Sequence, residues 1–143
     1  MDVREVNSPE ETRSLAQEWC REWEPGTVVA LSGGLGAGKT TFVQAVARTL
    51  GVTEAVGSPT FKLISEYPTA GMNLYHIDCY RLKSPEDFLL IGGENYLPSE
   101  DGLTCIEWPD RIESILPRHT IHIRIERDFS RPAFRRFIRE RPS

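Results

Sequence analysis

Hydrophobic and polar positions along the chain change period several times, and each change predicts an element. Leu15, Ala16, Trp19 and Trp23 share one helical face behind Ser8-Pro9-Glu10-Glu11, a Ser cap with proline at the first helical position and an acid three residues on. They predict a helix from Ser8 to about Trp23, stopped by Pro25-Gly26. Thr27 to Leu31 is an unbroken apolar run, as expected of a strand covered on both faces. A glycine-rich turn follows. Beyond it Phe42, Val43, Val46, Ala47 and Leu50 form the apolar face of a helix from about Lys39 to Leu50, with Gly51 as its stop.

The later pattern is mixed. Thr60 to Tyr67 and Asn73 to Cys79 read as strands around the Pro68–Gly71 turn, and Ser84-Pro85-Glu86-Asp87 caps a short helix. Leu103 to Trp108 reads as a strand, and Pro109 to Leu116 as a helical turn or two. Ile121 to Ile125 alternates cleanly, and Ala133 to Ile138 could pair with it as a hairpin. Strands alternating with helices around a central apolar strand predict an α/β fold. The expected form is a three-layer domain with a mostly parallel central sheet and a C-terminal antiparallel hairpin.

Composition narrows the function classes. The 143 residues fit one domain, 1–143, long enough to bury a core without disulfide or metal staples. No apolar run approaches a membrane span, and seven acids in the first 25 residues argue against a signal peptide. Cys20, Cys79 and Cys105 have no CxxC spacing, so buried reduced thiols in a cytoplasmic protein are expected. His76, His119 and His122 lack partners at zinc-ligand spacing. The net charge of −4 hides an asymmetry. Met1 to Pro117 carries 9 basic and 18 acidic residues, net −9, whereas Arg118 to Ser143 carries 8 arginines and 3 acids, net +5.

The candidate chemistry centres on Gly33-Gly34-Leu35-Gly36-Ala37-Gly38-Lys39-Thr40, which matches G-x-x-x-x-G-K-[ST] at every fixed position. It follows a buried strand and opens an amphipathic helix. Glycines let successive backbone N–H groups turn around phosphate oxygens, and the helix N-terminus adds its positive dipole end. Lys39 is expected to reach the β- and γ-phosphates, the Thr40 hydroxyl to ligate Mg²⁺, and Thr41 to meet the α-phosphate. Two strand-end carboxylates, Asp78 and Glu107, are candidates for the metal, either directly or through water. Thr60 could sense a γ-phosphate or be an ordinary turn hydroxyl. Arg81 could neutralise transition-state charge or pair with Glu86 or Asp87.

Four motifs occur together in order: GGLGAGKTTF at 33–42, SPTF at 58–61, HIDCYRL at 76–82 and IEWPDRI at 106–112. This set resembles the TsaE (also called YjeE) family, small P-loop ATPases of bacterial tRNA threonylcarbamoyladenosine biosynthesis, over roughly Ser8 to Arg131. The resemblance implies ATP binding and slow Mg²⁺-dependent hydrolysis. It also implies support of a partner complex of TsaB and TsaD, which transfers the threonylcarbamoyl group to adenosine 37 of tRNA. Contact with tRNA itself is then indirect or weak, and no membrane is involved.

Carried over by resemblance, Gly33, Leu35, Gly36, Ala37, Gly38, Lys39, Thr40 and Thr41 hold the phosphates, with Thr40 and Glu107 as Mg²⁺ ligands. Asp78 matches the family's Walker-B-like acid, Thr60 its switch hydroxyl and Trp108 the tryptophan beside the site. Lys39, Asp78 and Thr60 make the catalytic set. Thr12 and Arg131 would close the adenine side. The chain departs from the family's G-D-L-G-A-G-K-T loop by having Gly34 in place of the acid.

Two other readings stand beside this one. A small metabolite kinase would need an Arg-bearing lid, and Lys83 to Gly102 contains no arginine. A non-enzymatic module could use nucleotide only to lock a conformation. The arginines of the last 26 residues could close the nucleotide site, meet an acidic partner or touch tRNA. Arg135 and Arg136, as strand neighbours, must point to opposite faces.

Overall fold

The structure, a computed structural model, describes residues 1–57 and 63–142. Among these residues seven strands form one sheet: β1 (Asp2–Val6), β2 (Val28–Ser32), β3 (Ile64–Tyr67), β4 (Asn73–Asp78), β5 (Gly102–Glu107), β6 (Ile121–Asp128) and β7 (Arg131–Glu140). Their spatial order is β1-β7-β6-β2-β5-β4-β3. The central strands β6, β2, β5 and β4 run parallel, while β3, β7 and β1 are antiparallel to their neighbours. The mostly parallel centre and the C-terminal hairpin of β6 with β7 are as the pattern predicts. None of the described helices is long and apolar enough to cross a membrane.

Helices cover both faces. On one side α1 (Pro9–Cys20) and α2 (Lys39–Leu50) bury Leu15, Trp19, Phe42, Val43 and Val46 against Val29 and Leu31 of β2. On the other, α3 (Pro85–Leu90) and two 3-10 turns close over Val28, Ile77 and Ile106, with Phe88 fully buried. Successive residues of β2 thus enter opposite cores, which is why it reads as an unbroken apolar run. The three cysteines are buried and free. Burial pushes their thiols up, to about 11 for Cys20 and about 12 for Cys79, so they remain protonated, unreactive core groups.

Local chemistry sets the helix ends. The Ser8 hydroxyl accepts from the Glu11 amide, and the Glu11 carboxylate accepts in return from the Asn7 amide. Helix α1 stops at Cys20 rather than running to Trp23, yet Trp23 is still buried. It follows in a turn whose amide donates to the Cys20 carbonyl, and its ring meets Phe42 edge-on at 6.5 Å. The apolar period outlasts the helix because the turn delivers the same face. Helix α2 begins after Gly38 and ends at Gly51, both with left-handed backbone.

Strand β1 has no counterpart in the hydropathy pattern. Three of its five residues are charged, Val3 is exposed, and pairing with β7 is what holds it. Part of the charge asymmetry is neutralised here. Buried Arg139 binds Asp2 at 2.9 Å and Glu22 at 3.1 Å and lies 4.4 Å over the Trp19 ring. Arg136 binds Glu5, Arg141 binds Glu22, Arg124 binds Glu126 and Arg131 binds Asp128. Arg136, Arg139 and Arg141 thus pair with acids of the first 22 residues, while Arg124 and Arg131 pair within the C-terminal strands.

Candidate nucleotide site

The C-terminal ends of β2, β5 and β4 lie side by side, where α/β sheets bind their ligands. The loop 33–38 leaves β2 and enters α2. Gly33, with φ +148, passes so close to β6 that a Cβ would sit 2.5 Å from the Ile125 carbonyl oxygen, so only glycine fits. Gly36 and Gly38 also adopt positive φ. Open space surrounds Gly34, so an acidic side chain there would fit without rearrangement.

The Lys39 ammonium curls back over the loop, donating to the Gly33 carbonyl at 2.6 Å and the Gly34 carbonyl at 3.0 Å. It also lies 4.0 Å from the Trp108 ring centroid. Burial lowers the pKa of this amine, and the negative charges of Glu107 and Asp78 partly offset the effect. A desolvated cation among carbonyl dipoles gains most from an anion placed beside it.

The two strand-end acids are register partners across β4 and β5 but make different contacts. Glu107 is buried, and both its oxygens lie within reach of the Thr40 hydroxyl, at 3.2 and 3.1 Å. Asp78 is partly exposed, and its Oδ1 accepts from the Tyr80 amide at 3.0 Å. Nε2 of fully buried His76 meets the same Oε2 at 2.5 Å. Trp108 follows with φ +57, a strained conformation for a large side chain, and stacks against Tyr80 at 5.0 Å.

These groups line a cleft of about 570 Å³. Leu35, Gly36, Ala37, Gly38, Lys39, Thr40, Thr41, Asp78, Glu107 and Trp108 all border it, and Arg81 forms part of its wall. Gly33 lies just behind, under the lysine. Thr12 and Arg131 are not among the lining residues. Thr12 is buried in α1 with its hydroxyl on the Ser8 carbonyl, and Arg131 pairs with Asp128 at the tip of the β6–β7 hairpin. Thr60 lies outside the described residues.

Three contributors are not predicted from the sequence. Arg135 donates to the Ala37 carbonyl at 2.8 Å and the Gly36 carbonyl at 3.3 Å, and it lines the cleft. Arg127, its register partner across the hairpin, donates to the same Gly36 oxygen. Burial, and then the Arg127 charge, lowers the pKa of Arg135. Arg135's only sequence signal is its place opposite Arg127, which depends on the hairpin register. His76, the third, opens the HIDCYRL motif, but its pairing with Glu107 has no signal until β4 and β5 are aligned.

The donor set is one hydroxyl and two carboxylates, all hard oxygens. Among the described residues no group of three His, Cys, Asp or Glu side chains could hold a metal unaided. That combination fits Mg²⁺, which is usually held by one or two carboxylates together with substrate phosphates and water.

Comparison with known proteins gives a consistent result. Residues 6–136 match the family model described as "Threonylcarbamoyl adenosine biosynthesis protein TsaE". The chain is 42% identical over 124 residues to the tRNA threonylcarbamoyladenosine biosynthesis protein TsaE of Bacillus subtilis, covering 87% of this chain and 76% of that one. It is 46% identical over 100 residues to the protein of the same name from Treponema pallidum, covering 70% and 73%. The crystal structure of Bacillus subtilis YdiB superposes with a TM-score of 0.83 at 32% identity, over 99% of this chain and 86% of YdiB.

Proposed function

The chain belongs to the family of threonylcarbamoyl adenosine biosynthesis proteins named TsaE, and from that membership we propose that it is the ATP-binding and ATP-hydrolysing component of tRNA threonylcarbamoyladenosine formation. It acts on a TsaB–TsaD complex, which carries out the transfer to adenosine 37, and does not transfer the group itself. The observation that carries this reading is the convergence of Lys39, Thr40, Glu107 and Asp78 with the glycine loop on one cleft.

The loop amides and the α2 N-terminus receive the phosphates. Lys39 exchanges its bonds to the Gly33 and Gly34 carbonyls for the β- and γ-phosphates, and Thr41 meets the α-phosphate. Thr40 and Glu107 would hold Mg²⁺, with Asp78 the further carboxylate of the cleft wall. Held there, Mg²⁺ would supply positive charge against the negative charge that develops on the phosphates during hydrolysis. Thr60 is the proposed γ-phosphate sensor. Thr12 and Arg131 serve the adenine side only if Arg131 releases Asp128. The local pairing of most C-terminal arginines favours indirect or weak contact with tRNA, in a cytoplasmic setting.

Arg135 ties down the loop through the Gly36 and Ala37 carbonyls. Arg135→Ala should weaken ATP binding about 10-fold with and without Mg²⁺, the size of one charge-assisted hydrogen bond. Equilibrium titration of both proteins checks this, and an unchanged affinity removes Arg135 from the site. The function itself is tested by ATP turnover measured alone and with purified TsaB and TsaD. Slow intrinsic turnover stimulated by the pair is expected. Turnover indifferent to every concentration of the pair would sink the proposal.

A further inference from the structure

The buried ring of His76 is not used by the chemistry above. We propose that His76 is a positioning residue: its Nε2–H holds the Glu107 carboxylate toward Thr40 and the cleft. This rests on the Mg²⁺–nucleotide reading of the same site.

His76 lies on β4 in register with Cys105, two residues before Glu107, so their side chains share one face of the parallel pair. Nε2 sits 2.5 Å from Glu107 Oε2, while Nδ1 has no partner among the described residues. Because a carboxylate only accepts, the hydrogen must be on Nε2. A hydrogen on Nδ1 as well would be a buried N–H with nothing to receive it. The ring therefore donates to Oε2, while the Thr40 hydroxyl, which lines the cleft, lies within reach of both carboxylate oxygens. Two donors from different elements thus restrain the Glu107 carboxylate. Without the ring, the carboxylate regains rotamer freedom that a metal must then remove. Partners that orient a metal-binding carboxylate typically change metal affinity about 10- to 100-fold when removed.

His76→Leu keeps apolar volume without a donor. His76→Gln keeps an N–H the same number of bonds from the backbone. A fluorescent ATP analogue is titrated into each protein and the wild type, first in EDTA and then over a range of Mg²⁺. Thermal unfolding is recorded without ligand. Affinity in EDTA should stay within about 2-fold throughout. The Mg²⁺ concentration giving half the enhancement should rise about 10- to 100-fold in His76→Leu and less than about 3-fold in His76→Gln. A wild-type enhancement that survives unchanged in His76→Leu, or falls equally in both variants, overturns the role of His76. Absence of any Mg²⁺ enhancement in the wild type overturns the proposed function instead. Should His76→Leu fail to fold, ¹⁵N NMR of the wild-type imidazole decides. A slowly exchanging Nε2 proton that shifts when Mg²⁺ joins the nucleotide complex supports the role, and a hydrogen on Nδ1 alone overturns it.

Discussion

Replacing Lys39 with alanine should reduce ATP affinity about 100-fold or more, beyond the range of an ordinary titration, with or without Mg²⁺. Among the described residues the ammonium is the one lysine donor that reaches the loop, and it is buried. Each hydrogen bond to a charged phosphate oxygen contributes roughly 1.5–3 kcal/mol, and every 1.4 kcal/mol is a factor of ten, so losing two costs about 100-fold or more. The fold should barely change. Water can reach the exposed Gly34 and part-exposed Gly33, and removing a desolvated cation offsets the lost bonds. Unfolding of Lys39→Ala within about 1 kcal/mol of wild type, together with lost nucleotide binding, separates the two effects. Lys39→Arg should not rescue, because a planar guanidinium cannot place a compact charge under the same two carbonyls. A Lys39→Ala protein with wild-type affinity would remove the loop from the proposed function.

The second large effect belongs to Glu107. Glu107→Ala should leave affinity in EDTA within about 3-fold of wild type while Mg²⁺-dependent turnover falls about 100-fold, since metal stabilisation of transition-state charge amounts to several kcal/mol. Alanine also strands the His76 Nε2–H, a cost of about 1–3 kcal/mol in stability, which unfolding will report. Glu107→Gln retains an acceptor for that donor and should recover the stability without the Mg²⁺ effect. Asp78→Ala should do less, because Asp78 does not contact Thr40. If Asp78→Ala alone abolishes the Mg²⁺ dependence, the two acids exchange roles.

The sequence makes the phosphate loop legible because everything it needs is local. The glycines, lysine and threonine lie within eight residues, framed by a buried strand and an amphipathic helix that their own hydropathy predicts. The two strand-end acids are legible as candidates for the same reason. Choosing between them is not, since only strand order and register place Glu107 against Thr40 and Asp78 at the wall. His76 is missed because its partner is 31 residues away on a neighbouring strand. Arg135 is hidden among eight C-terminal arginines until the hairpin separates those paired with acids from those facing the loop. Strand β1 is missed because it draws its stability from β7 and the Arg139 ion pairs, not from an apolar pattern of its own. Helical period alone overextends α1, since Trp23 reaches the same core from a turn.

That the cleft beside Lys39 receives ATP with Mg²⁺ is tested most directly by calorimetric titration of ATP into the intact protein, in EDTA and then in excess Mg²⁺. One site per chain, tighter in Mg²⁺ and absent from Lys39→Ala, is the predicted result. No binding, or binding indifferent to both Mg²⁺ and Lys39, would contradict it.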